Sequence, residues 1–298
     1  MAVAKIINLR GAGKGTDGTT VLAGARRFTL IGNVDSKIEI GGAGEMPTGA
    51  HKTGAAPQIV TEHEGLLEPL NAIKGLLANQ TLKLHYRAST GNRVSTVTKV
   101  SATAIGEYEF PPAEGQGNVP RCTITWDIHC DGVDVDTLAE ALTYAVDAGS
   151  PPTETVNALV HLMAAYRGAT GVTAIASAVR ARLRARCQKR VARTGGAELP
   201  ECVWLTHVAA EIAIEIEDFT DVLAALTGAA TGETLKLNYR SSSSIAAVLT
   251  VKWATLIGTG QVQGLGAEQG GRVPPTELAF AITMGTGVTT LAQALVIT

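Results

Sequence analysis

Between Val179 and Cys187 apolar residues and arginines alternate one for one, Val-Arg-Ala-Arg-Leu-Arg-Ala-Arg-Cys. That is the period of a strand with one buried face, yet Ile175, Val179, Leu183, Cys187 and Val191 also fit a helical i,i+4 stripe. Glu211-Ile-Ala-Ile-Glu-Ile-Glu217 alternates acids with aliphatics, and Gln58–Glu64 does so more loosely; both predict strands. Leu66–Ala78, with Leu67, Leu70, Ile73 and Leu77 on one face, predicts a short helix, as does Phe219–Ala230. Further strands are predicted over Thr81–Arg87, Thr234–Arg240, Arg121–Ile128 and Thr276–Thr283. Loops bearing Gly and Pro are predicted at Gly41–Pro57 and Thr194–Val208.

These patterns come in two sets. Thr81-Leu-Lys-Leu-His-Tyr-Arg87 returns as Thr234-Leu-Lys-Leu-Asn-Tyr-Arg240, 153 residues on. The same spacing carries Gly15 to Gly168, Gly18 to Gly171, Glu45 to Glu198, Pro47 to Pro200 and Glu62 to Glu215. It also carries Val135, Thr137, Leu138 and Leu142 to Val288, Thr290, Leu291 and Leu295. A shift of one residue is needed only near 100–130. A register held over nearly the whole chain predicts two homologous domains, 1–150 and 151–298. The repeat also decides the ambiguous segment. Opposite Arg180–Arg193 lies Arg27–Ile40, which contains Gly32-Asn33 and is poor helix, so both are read as strands. The expected fold is all-β with one short helix per domain, each domain a small sandwich or barrel.

Composition narrows the function. Of the 298 residues, 45% are hydrophobic and 17% charged, which excludes disorder, and the glycines follow no collagen period. A formal net charge of −2 excludes a strongly basic nucleic-acid binder. The apolar run at the N-terminus is too short for a signal peptide. No stretch reaches membrane-span length, and four cysteines lack CxxC spacing. A soluble protein from a reducing compartment is expected.

Candidate chemistry fails against the repeat. Gly11-Ala-Gly-Lys-Gly-Thr16 lacks the GxxxxGK[ST] order of a phosphate loop, and the other copy reads Tyr166-Arg-Gly168 there. Asp131, Asp134 and Asp136 hint at cation ligands but face Met284, Gly287 and Thr289 in the other copy. The paired acids Glu62/Glu64 and Glu215/Glu217 read as one solvated strand face. No catalytic, cofactor or metal site is expected.

The run from Ser36 to Ile128 resembles the tail tube proteins of tailed bacteriophages, closest to the contractile-tailed, Mu-like type. The resemblance rests on Lys37-Ile-Glu-Ile-Gly-Gly42, Pro57–Glu64, the helix Leu66–Leu77, the strand Gln80–Tyr86 and Gly115-Gln-Gly-Asn118 before Thr123–Ile128. It implies a non-enzymatic virion protein, the major tail tube subunit. Its copies would form rings joined into an inner β-barrel, stacked into a channel for double-stranded DNA without sequence-specific binding. Two fused copies imply a trimer imitating a six-fold ring. The partners implied are the chain itself and other tail proteins (sheath or tape measure, terminator, baseplate), with no membrane. Assembly would occur in the host bacterial cytoplasm. By position in the resemblance, the inter-ring loops would carry Gly41, Gly42, Glu45, Pro47 and His51, and in the second copy Gly195, Gly196, Glu198, Pro200, Trp204 and Leu205. Lumen or ring-strand charges would be Glu62, Glu64, Arg180, Arg182, Arg184, Arg186, Glu211, Glu215 and Glu217. The four arginines are expected to pair across strands with Glu211, Glu215 and Glu217. The alternatives are a baseplate hub or other tube-derived component of a tail or tail-like injection device and, from another class, a carbohydrate- or metal-binding enzyme.

Overall fold

The computed structural model describes residues 6–39, 49–75, 78–112, 120–130, 134–152, 159–192, 198–228, 231–241, 246–259 and 276–298. The first half runs β1 (Ile6–Lys14), β2 (Thr20–Val21), β3 (Ala25–Ile31), β4 (Val34–Glu39), β5 (Gly49–Ala55), β6 (Gln58–Glu64) and helix α1 (Leu67–Lys74). It continues with β7 (Gln80–Ala88), β8 (Gly91–Phe110), β9 (Arg121–Ile128), α2 (Leu138–Ala141) and β10 (Leu142–Val146). The second half gives β11 (Leu159–Arg167), β12 (Thr173–Ile175), β13 (Ala178–Ala192), β14 (Cys202–Ile216) and α3 (Phe219–Thr227). Then come β15 (Glu233–Ser241), β16 (Ala246–Thr259), β17 (Thr276–Ile282), α4 (Leu291–Ala294) and β18 (Leu295–Ile297). The protein is mostly β.

Strand order repeats as well as element order. Residues 6–146 form the path β2-β1-β7-β8-β9-β6-β3, and residues 159–297 form β12-β11-β15-β16-β17-β14-β13. β10 lies on β8 as β18 lies on β16. Even the bulges coincide: β1 slips against β7 between Ile6 and Asn8, and β11 slips against β15 between Leu159 and His161. Lys99 and Trp253 adopt the same left-handed backbone, with φ of 55° and 57°. The turns after β1 and β11 need Gly15 and Gly168, whose φ values of 109° and 101° few side chains tolerate.

The alternation in 179–187 resolves as strand. In β13, Ala181, Leu183, Ala185 and Cys187 are buried, while Arg180, Arg182, Arg184 and Arg186 point to the opposite face. Three expectations need correction. The strand predicted over Arg27–Ile40 breaks at Gly32-Asn33 into β3 and β4. Asn33 closes the break by donating from its side chain to the Ala56 carbonyl at 3.1 Å. The predicted loops are partly strand, since β5 and the first half of β14 occupy 49–55 and 202–208. Each half also holds a second, four-residue helix, α2 or α4. Its capping box, Thr137/Glu140 or Thr290/Gln293, satisfies backbone donors of the first turn.

One contact decides the architecture. The end of β8 continues past β7 and pairs antiparallel with β13, matching Phe110 to Ala181, Tyr108 to Leu183 and Ala104 to Arg186. Among the described residues the two halves therefore share one 16-stranded sheet, beside the two-stranded ribbon β4-β5. They also share one hydrophobic core, crossed where the Phe110 and Tyr239 rings pack 5.8 Å apart.

Candidate assembly surfaces

Opposite its buried face, the shared sheet carries a ladder of charges. Arg184 donates twice to the Glu211 carboxylate, at 2.8 and 2.9 Å. Arg182 reaches Glu277 at 2.5 Å and lies 3.7 Å from Glu107. Arg180 sits 3.1 Å from Glu109 and 3.7 Å from Glu215. Arg186 stands exposed, with Ala209 opposite on β14 and Ala104 on β8. Glu217 is exposed at the end of β14 and is anchored by its backbone N–H to the Ser177 carbonyl at 3.1 Å. In the first half Glu62 pairs with Arg121 at 2.5 Å and Glu64 with Arg26 at 2.6 Å. Glu107, Glu109 and Glu277 complete the ladder without having been singled out from the sequence, because only the β8–β13 pairing brings the first two beside the arginines. The Glu211 hydrogen bonds, then its charge, raise the Arg184 guanidinium pKa further. Each exposed pair is worth at most about 1 kcal/mol, so the ladder's main effect is a face with no strong single sign. That face is hollow. Strands β6, β8, β9, β13, β14 and β17 all line one groove of about 680 Å³ that holds Gln58, Glu107, Thr125, Arg184, Glu211 and Ala281.

At the sides, equivalent positions differ in exposure. Leu183 and Cys187, covered by β8, are 0% and 5% exposed; their counterparts Leu30 and Val34 are 42% and 55% exposed. On α1, Leu70 and Ile73 are fully buried, and Ile73 faces the second half near α4. Their counterparts on α3, Leu223 and Leu226, are 48% and 50% exposed. The junction with the other half covers Leu183 and Cys187, and α1 packs on β13 and α4 of the other half as well as on β8 and β9 of its own. Among the described residues β3 pairs only with β6, and the β16 residues Gly258 and Thr259, counterparts of Ala104 and Ile105, pair only with β17.

The expected loop residues fall as follows. Gly41, Gly42, Glu45, Pro47, Gly195 and Gly196 lie outside the described residues. His51 and Trp204 occupy strands, opposite Lys37 and Arg190, and Leu205 lies opposite Lys189. Glu198 and Pro200 form a contact between the halves of one chain, not one leading away from it. The Glu198 carbonyl accepts from Ala55 N–H at 2.9 Å, and the Pro200 carbonyl accepts from Cys130 N–H at 2.7 Å. Leu199 between them is 1% exposed, and its N–H donates to the Asp136 carbonyl at 3.3 Å. Sequence reasoning passed over Leu199; the signal was there in Glu45-Met-Pro47 against Glu198-Leu-Pro200.

Titratable groups of the interior are structural. His63 is fully buried, donating through Nδ1 to the Ala23 carbonyl and accepting at Nε2 from Thr61, which in turn accepts from the Trp126 indole. Burial lowers its pKa to about 4. Burial also raises Cys122 to about 12 and Cys187 to about 11, so neither is a reactive thiolate. Gly11 and Gly13 belong to strand β1, and a Cβ at Gly13 would meet the Gly18 carbonyl at 2.1 Å; these glycines serve packing. Among the described residues no group of three or more His, Cys, Asp or Glu is placed to hold a metal ion, and no helix is long and apolar enough to cross a membrane. No protein-family model matches the chain, and no curated protein matches it.

Proposed function

We propose that the chain is a self-assembling structural subunit whose two halves are copies of one module, and that three chains close into a ring of six modules. The observation that carries this reading is the β8–β13 junction. One module already joins the next through strand edges, and among the described residues the sheet ends on one side with an unjoined β3 and on the other with an unjoined end of β16. Repeating the junction between chains sets Gly258 and Thr259, at the end of β16, opposite Asn33 and Gly32, which follow β3 in the next copy. It satisfies two open edges and covers Leu30, Val34, Leu223 and Leu226 at once. The interface is head-to-tail, so it closes as a ring or grows as a helix according to the rotation per module.

The hollow, mixed-charge face would line the central opening, where phosphates would meet carboxylates beside Arg180, Arg182 and Arg184 and would not be held. With the resemblance to phage tail tube proteins, this makes the major tail tube subunit of a virion, conducting DNA through stacked rings, the reading we favour. A baseplate hub is the second reading, because two modules in one chain also suit a single trimeric collar.

Negative-stain microscopy of the purified chain separates these. Hollow, evenly striated filaments with three- or six-fold end views are expected of a tube protein, and isolated rings of a hub. Monodisperse monomers at high concentration would overturn both.

A further inference from the structure

The internal junction has a plug. Leu199, between β13 and β14, is buried, its carbonyl accepting from the Cys130 thiol and its N–H donating to the Asp136 carbonyl, while the flanking Glu198 and Pro200 carbonyls accept from Ala55 and Cys130. The Glu198 carboxylate accepts from Leu138 N–H at 3.4 Å, at the start of α2. The corresponding place in the second half is a cavity of about 490 Å³. It is lined by Val208, Val288, Thr289 and Leu291, which answer at 153 residues to Ala55, Val135, Asp136 and Leu138. Met284 also lines it; the strand register sets it on Cys130 and not on Asp131, since Thr283 N–H meets Trp253 as His129 N–H meets Lys99. Cys130 is 1% exposed under the plug, whereas Met284 is 77% exposed. Lys74 stands at the rim, its Nζ donating to the Leu295 carbonyl at 2.6 Å.

Resting on the ring reading above, we propose that this cavity receives Met46, with Glu45 and Pro47, from a second copy of the chain. Those residues answer to Leu199, Glu198 and Pro200. The Met side chain fills the apolar floor beside Val288 and Leu291. The Glu45 carboxylate would meet Leu291 N–H, as Glu198 meets Leu138 N–H in the first half, and the Lys74 ammonium at the rim. Met in place of Leu suits an open cavity of this kind, since its unbranched thioether fills irregular space. Each chain thus carries one site already filled by its own Leu199 and one site that another copy must fill.

The test is a photo-crosslinking amino acid at position 46 in the full chain, with isotopically heavy and light protein mixed and the products mapped by mass spectrometry. Ring formation is scored separately by sedimentation. Mixed heavy–light crosslinks onto 206–208 or 284–291 are expected. So is a rise of about ten-fold or more in the concentration needed for assembly on Met46→Asp, with Met46→Leu close to wild type. Rings whose crosslinks stay within one isotope, or fall outside that cavity, would overturn the plug and leave ring closure standing. Failure of the unmodified chain to assemble at all would overturn both.

Discussion

Leu226→Glu offers a sharp test of the junction, because the same substitution at the equivalent position Ile73 has a different consequence. Leu226 is 50% exposed, so in the isolated chain its replacement costs about 1 kcal/mol, the worth of the half already buried. In a closed ring the position is as buried as Ile73, which is 0% exposed. Burying the remaining half of a Leu contributes about 1 kcal/mol per junction, and forcing a carboxylate into that space adds about 2 kcal/mol or more. A penalty of about 3 kcal/mol is roughly a hundred-fold per junction, and a trimer has three junctions. Sedimentation velocity over a concentration series should find L226E monomeric where wild type forms rings, with a melting temperature at high dilution lowered by only about 2–4 °C. I73E should unfold the chain, since an unpaired charge would sit in the core. Rings of L226E at wild-type concentrations would refute the junction. A melting temperature depressed as far as that of I73E would show Leu226 already in use within the monomer.

Three more outcomes follow from named contacts. Replacing all four of Arg180, Arg182, Arg184 and Arg186 with Glu sets like charges against Glu107, Glu109, Glu211, Glu215 and Glu277. It should abolish assembly in electron micrographs, while R184E alone costs about 1 kcal/mol or less in a denaturant melt. Arg167 and Glu233 form a buried two-bond pair at 2.9 and 2.5 Å; E233Q should lose about 3–5 kcal/mol in the same melt, and the apolar double variant R167M/E233L should recover most of it. His63 is folded in its neutral form, so the unfolded chain takes up a proton near pH 6.5 that the folded chain resists until about pH 4. Its contribution is intact above pH 6.5 and falls by about 3 kcal/mol on acidification to pH 4. The denaturation midpoint of wild type should therefore converge on that of His63→Gln as the pH drops, and parallel profiles would contradict this.

Much of the fold was legible because period and repeat are local signals. The alternation in 179–187 marked a buried face that β13 keeps, and Arg121–Ile128 was read to the residue as β9. The helix boundaries were read too long at Leu66–Ala78, where α1 ends at Lys74 before Gly75. The segments that became β1 and β11 were noted for their repeat but given no element. Ile6–Lys14 holds three residues without a large side chain among its last four, Gly11, Ala12 and Gly13, and so shows little alternation. The ribbons were read as loops because Gly49–Ala55 carries small and polar residues whose strand conformation comes from pairing with β4.

The sequence by itself determined that two like sets of strands exist, which face of most strands is buried, and that arginines crowd one face of one strand. Those facts depend on side-chain order, and side chains differ along the chain. Only the tertiary structure decided that β13 lies between β14 and β8, that Glu107 and Glu109 therefore meet Arg182 and Arg180, and that Leu199 fills a site whose twin stands open. Strand edges join through backbone N–H and C=O groups that are the same at nearly every residue. The choice of neighbour is therefore made by how the sheets curve and meet, not by any local spelling of the chain.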